Sequence, residues 1–139
     1  VSLRLLIIAS GLALFGFAVP AHADPCEARR PGQAGVQFSG AVRYVGDGDS
    51  LCVGKTPDPN SWIEVRLADF NAPELNQDQG PVGKAVLERV ALHRDVTCTT
   101  ERGRSGRVVS FDHVIARCHI GSQGIGELLR RAGAPEGCN

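Results

Sequence analysis

The residues best suited to chemistry in this sequence lie between Trp62 and Glu74, in the stretch WIEVRLADFNAPE. Arg66 carries a planar fork that can donate two parallel hydrogen bonds to a phosphate or carboxylate. Asp69, Asn71 and Glu74 follow within nine residues of it, gathered around Pro73. Carboxylate and amide oxygens on a rigid corner suit a hard cation such as Ca²⁺, and a further glutamate can act as general base on a metal-adjacent water. A second polar cluster, Asp47-Gly48-Asp49-Ser50, comes earlier in the chain. If the fold brings the two turns together, they supply what phosphodiester hydrolysis requires. Taken singly, each piece has a plainer reading: Asp/Gly runs are turn sequences, and an arginine on a polar strand face is commonly a solvated cross-strand partner. Their order and spacing together carry the functional reading.

The elements that must position these residues can be read from periodicity. Ile63, Val65 and Leu67 alternate with Glu64 and Arg66, the period of a strand with one buried face, and Pro73 ends its ladder. Before it, Val36–Val45 reads as a strand with a bend or bulge at Gly40, Gly46–Asp49 as a turn, and Leu51–Val53 as a second strand. Three strands joined by short turns make a meander. From Gly80 to Arg94 the period changes: Val82, Val86 and Val90 recur every four residues and Pro81 suits a first turn, which predicts an amphipathic helix. Val96–Thr100 and Val108–Ile120 read as two further strands around the solvated loop ERGRSGR, and Ile125, Leu128, Leu129 and Ala132 as a short helix closed by Gly133 and Pro135. The expected class is β-rich α+β: a five-stranded Greek-key barrel of the oligonucleotide-binding (OB) type, with a helix after strand 3 and a short C-terminal helix.

Residues 1–23 have one basic residue, Arg4, an apolar run from Leu5 to Val19, and Ala21-His22-Ala23 as a small-x-small cleavage site. This is the pattern of a secretory signal peptide, and the run is too short for a comfortable membrane span. Cleavage there leaves 116 residues, enough for one domain. Residues 24–35, rich in Pro, Gly, Arg and Glu, are expected to form a flexible lead, 36–134 the folded domain and 135–139 a tail. The 15 basic residues balance the 15 acidic ones, which counts against strong nonspecific nucleic-acid binding, since that has a basic footprint.

The strings VGDGDSLCV, VRLADFNAPEL and GPVGKAVLERVALHRDVTC resemble the staphylococcal nuclease (thermonuclease) family, whose pattern runs V-D-G-D-T, then V-R-L-x-G-I-D-A-P-E, then a helix. The resemblance spans about Phe38 to Gly133. It implies an OB barrel with helices and a Ca²⁺-dependent phosphodiesterase acting on DNA and RNA. By position, Asp49 would be a calcium ligand, Arg66 a phosphate-binding catalytic arginine and Glu74 the general base. Asn71 stands where the family places its second calcium-binding aspartate, and Ala72 where it places a threonine, so the metal site loses one negative charge. Asp69, two residues before Asn71, would share its face in an extended chain and could compensate.

The family's second catalytic arginine opens its fifth strand. A gap-free register puts His113 at that position, while the register that keeps an arginine, at Arg107, needs an insertion. Histidine lacks the bidentate fork, and losing such a transition-state donor typically costs about 10²–10³ in rate. Cys98 and Cys118, on the last two strands, form the favoured disulfide pair, with two buried thiols as the alternative; Cys26, Cys52 and Cys138 give no basis for choosing a pair. The expectation is therefore a monomeric, secreted or periplasmic Ca²⁺-dependent phosphodiesterase of reduced activity. Its substrate would be single-stranded DNA or RNA, and it would be free of the membrane once the signal is cleaved. The alternative is a catalytically silent OB-fold module that binds an oligonucleotide or another polyanion.

Overall fold

The computed structural model describes residues 24–137, so the signal-peptide reading of residues 1–23 and any partner of Cys138 lie outside the described residues. Within these residues seven strands and two α-helices follow in chain order: β1 (Gln37–Val45), β2 (Ser50–Gly54), β3 (Ile63–Leu67), α1 (Gly80–Ala91), β4 (Asp95–Thr100), β5 (Val109–Ser110), β6 (His113–Ile120), β7 (Gln123–Gly124) and α2 (Ile125–Arg131). β1 pairs antiparallel with β2 through its second half and with β4 through its first. β2 pairs with β3, β4 with β6, and the parallel pairing of β3 with β6 closes the ring. The result is a closed barrel of five principal strands, as expected for an OB-like β-rich α+β fold, with β5 and β7 as two-residue additions to β6.

One long strand can serve both sides of the barrel because β1 bends. Its register shifts between Val42 and Tyr44, two to four residues beyond the Gly40 position expected from sequence. Gly40 instead lets two strands come close. A Cβ there would lie 2.7 Å from the Gly54 carbonyl carbon, an approach that only glycine permits. Alternate residues from the principal strands fill the interior, among them Leu51, Val53, Val65 and Val114, and Ile125 and Leu129 of α2 join the same buried cluster. Burying each such side chain contributes about 1.5–3 kcal/mol.

α1 covers the core beside the polar turns. Its buried face is Gly83, Val86, Leu87 and Ala91, whereas Val82, counted in the apolar stripe from sequence, is 47% exposed. The face is rotated toward Gly83, which lies against Gly48: a Cβ at Gly48 would come within 3.1 Å of the Gly83 backbone. Val108–Ile120, read as one strand, is instead a hairpin. Ser110 pairs with His113, and Phe111 at its tip takes the left-handed φ of 52° with 95% of its surface exposed.

Residues 24–35 also differ from the expectation of little order. Cys26 is buried and disulfide-bonded to Cys52 on β2, and the amides of Glu27 and Ala28 donate to the carbonyls of Pro59 and Trp62 at 3.1 and 3.0 Å. Loop-like composition did not disclose this, because the anchor is a single cysteine whose partner is 26 residues away. The expected Cys98–Cys118 disulfide joins β4 to β6, where the two residues are directly paired. Two disulfides fit a protein outside the reducing cytoplasm. Among the described residues no helix is long and apolar enough to cross a membrane.

Candidate functional site

The barrel brings the two polar turns together. Ser50 at the start of β2 pairs with Arg66 near the end of β3, and the Leu67 amide donates to the Asp49 carbonyl at 2.8 Å. The Asp47–Ser50 turn is held by its own side chains: Asp47 Oδ1 accepts from the Asp49 amide at 3.0 Å and Ser50 Oγ from the Asp47 amide at 3.1 Å. Gly48 lies so close to Ala72 that a Cβ would come within 2.5 Å of the Ala72 methyl. The turn is thereby locked against the corner that follows β3.

Within this junction, Arg66 is the shared partner. Its Nε lies 2.9 Å from Asp49 Oδ1, and its Nη2 donates to Asn71 Oδ1. The second Asp49 oxygen accepts from the Ala72 amide at 2.6 Å. Asp49 is almost wholly buried, and burial pushes its carboxyl up to about 7, although the Ala72 amide and the Arg66 guanidinium both pull it down. Asp47 moves the other way: burial raises it, but the Asp49 amide and the Ser50 hydroxyl together outweigh that and lower it.

A cleft of about 660 Å³ opens over this junction, and Arg66, Asn71, Glu74 and His113 all line it. Of the five residues singled out from sequence, only Asp49 is absent from the wall, being buried behind Arg66. Glu74 is exposed at the rim, its amide accepted by the Gln77 side chain at 2.9 Å. Arg104 also reaches the cleft. Arg107 does not line it: its carbonyl closes the loop onto the Gly103 amide. Between the two registers, then, His113 is the residue placed on the cleft.

His113 is nevertheless engaged elsewhere, for its Nε2 lies 3.1 Å from Glu64 Oε1. Glu64, two residues before Arg66 on the same polar face, has a side chain only 9% exposed. Burial pushes it up to about 7, helped by Asp24 and Asp112 and opposed by Arg30. Asp69 is also occupied. The chain bends at residues 68–69 instead of staying extended, so Asp69 turns to Arg117 at 3.4 Å and lies against Gly126 at the start of α2. Its Oδ1 is buried without a hydrogen-bond partner. These contacts give no support to Asp69 as a replacement ligand beside Asn71.

The donor chemistry at the junction does suit a hard cation. Asp49 Oδ1 and Asn71 Oδ1 converge on one point of positive charge, now supplied by the guanidinium, and both are oxygen ligands of the kind Ca²⁺ takes. Sequence reasoning missed Asp24, Glu64 and Phe111. Glu64 carried a usable signal in its alternation with Arg66; Asp24 carried none, since the disulfide delivers it. No family model matches the chain, and no curated protein matches it at a significant level.

Proposed function

We propose that the cleft binds single-stranded DNA or RNA and hydrolyses its phosphodiester bonds slowly, as an exported, divergent relative of the thermonucleases acting in the periplasm or outside the cell. The observation that carries this reading is the convergence of Arg66, Asn71 and Glu74 on one cleft directly over buried Asp49. Asp49 and Asn71 would hold Ca²⁺, which when bound supplies a Lewis acid for the phosphoryl oxygens. Arg66 donates to the phosphate with whichever N–H groups Asp49 and Asn71 leave free, which orients the ester and offsets its charge. Glu74, exposed at the rim, accepts the proton of the attacking water. Phe111, on its exposed hairpin tip beside the cleft, gives an unpaired base a face to stack on.

Low activity follows from the same contacts. Asn71 brings no negative charge to the cation, Arg66 already serves two acceptors, and His113 is drawn to Glu64. Those contacts also favour a second reading, a silent OB-fold module that binds a polyanion in the cleft. The two separate on a labelled single-stranded DNA oligonucleotide incubated with the purified protein, with Ca²⁺ and with chelator. Cleavage only with Ca²⁺ supports the hydrolase, and binding without cleavage supports the module. Cleavage that survives chelation removes the calcium mechanism.

A further inference from the structure

Glu64 is the most deeply buried member of a second cluster, formed where the N-terminal segment crosses β3 and the start of β6. Asp24, Glu64 and His113 each offer one ligand atom, and these atoms all lie within 4.8 Å of one another. We propose that this cluster is a binding site for a divalent transition-metal ion of the zinc class, separate from the Asp49–Asn71 junction, and that the ion clamps the N-terminal segment onto the barrel.

The donor set selects the ion. One imidazole nitrogen with two carboxylate oxygens suits Zn²⁺ and its neighbours, whereas Ca²⁺ takes oxygen ligands. Ligand atoms around a tetrahedral Zn²⁺, at bonds of about 2.0–2.2 Å, stand roughly 3.4 Å apart. His113 Nε2 and Glu64 Oε1 already meet that spacing at 3.1 Å. The widest pair would have to close by at most about 1.5 Å, within reach of side-chain rotation.

Charge points the same way. Three carboxylates, Asp24, Glu64 and Asp112, face a single guanidinium, Arg30, which stands 4.0 Å from Glu64 and 3.7 Å from Asp112. The cluster thus holds an excess of negative charge around a side chain that is nine-tenths buried, and a bound cation offsets it. The position of Asp24 is also built. The Cys26–Cys52 disulfide fixes the chain two residues away, and a Cβ at Gly46 would come within 2.9 Å of Asp24 Oδ2, so Gly46 leaves the room the carboxylate occupies. Three protein ligands from three separate segments leave a further position for water.

The test is calorimetric titration of the purified protein with Zn²⁺ in a Cys138→Ser background, which removes the cysteine outside the two disulfides. One Zn²⁺ per chain with micromolar or tighter affinity is expected, with a rise in unfolding temperature on loading, and no comparable rise with Ca²⁺. His113→Ala should weaken binding at least tenfold. Because that variant alters a strand, Asp24→Asn, at the edge of the fold, is the second arm and should weaken binding to a similar degree. Co²⁺ loading should give visible bands without thiolate charge transfer. Absence of stoichiometric binding, or binding that survives both substitutions, would overturn the proposal. Neither outcome depends on whether the cleft cleaves nucleic acid.

Discussion

Arg66 and Glu64 occupy the same polar face of β3, two residues apart, yet their surroundings solve opposite problems. Around Arg66 the protein supplies its own compensation: one cation lies between the Asp49 carboxylate and the Asn71 carbonyl, with the Ala72 amide on the remaining Asp49 oxygen. Around Glu64 it supplies carboxylates, one histidine and a single arginine at 4.0 Å. A partly buried charge needs a partner, and a pair broken by removing one member costs far more than the pair contributes. One end of the strand is therefore balanced within the chain, and the other is poised to take up a cation. The barrel explains the difference: Arg66 meets a turn that is its neighbour on β2, while Glu64 is roofed by a segment delivered through a disulfide.

The largest expected effect breaks the roof without touching the junction. Cys26→Ser should lower stability by about 3–4 kcal/mol in the chain-entropy account, read as urea unfolding, and should abolish the zinc response while leaving calcium binding in place. If both ions lose affinity together, the two regions are not separate. Next comes Arg66→Ala, which strands buried Asp49. A loss of about 3 kcal/mol is expected, at the low end for a broken buried pair because Arg66 is a third exposed. Glu64→Gln should change stability by less than about 1 kcal/mol, since it removes a charge from a crowd of like charges. Equal costs would contradict the contrast drawn between the two sites.

A smaller effect is carried by pH. Asp49 and Glu64 are both held up to about 7 in the fold, so between about pH 4 and 7 the native state binds more protons than the unfolded chain. The stability these two groups contribute in the metal-free protein should therefore be fully present below the unfolded carboxylate value and be lost as pH rises through 7, at less than about 1.4 kcal/mol per pH unit for each group. Asp49→Asn and Glu64→Gln should each flatten part of that slope in urea titrations at stepped pH. A slope untouched by either would place the proton uptake elsewhere. Smallest of all is Asp112→Asn: its carboxylate is 83% exposed and pairs with Arg30 at 3.7 Å, so a change under about 0.5 kcal/mol is expected.

The barrel was legible because its signals are local. Alternation in Ile63–Leu67, the Asp/Gly turn and the change of period at Gly80 each declare an element, and a closed sheet of five principal strands is one of few ways to bury them together. The junction was legible for a related reason, as both halves are turns adjoining paired strands. What was hidden depends on contacts remote in sequence. Asp24 is held near Glu64 by the Cys26–Cys52 bond and the backbone bonds of Glu27 and Ala28, and His113 meets Glu64 because β3 and β6 pair in parallel across the barrel's closure. The premise behind the role expected of Asp69, an extended chain, does not hold, because residues 68–69 bend. Val82 was misplaced because period alone does not register a contact as close as that of Gly48 with Gly83 and Ala72.

The proposed hydrolysis is tested most directly by single-turnover cleavage of a single-stranded DNA oligonucleotide at saturating Ca²⁺, comparing the unaltered protein with Glu74→Gln. Glu74 is exposed, so the substitution leaves the fold intact. Loss of the general base should slow cleavage by about 10²–10⁴-fold with oligonucleotide affinity nearly unchanged. A rate that is the same in both proteins, or absent in both while the oligonucleotide stays bound, would contradict the account.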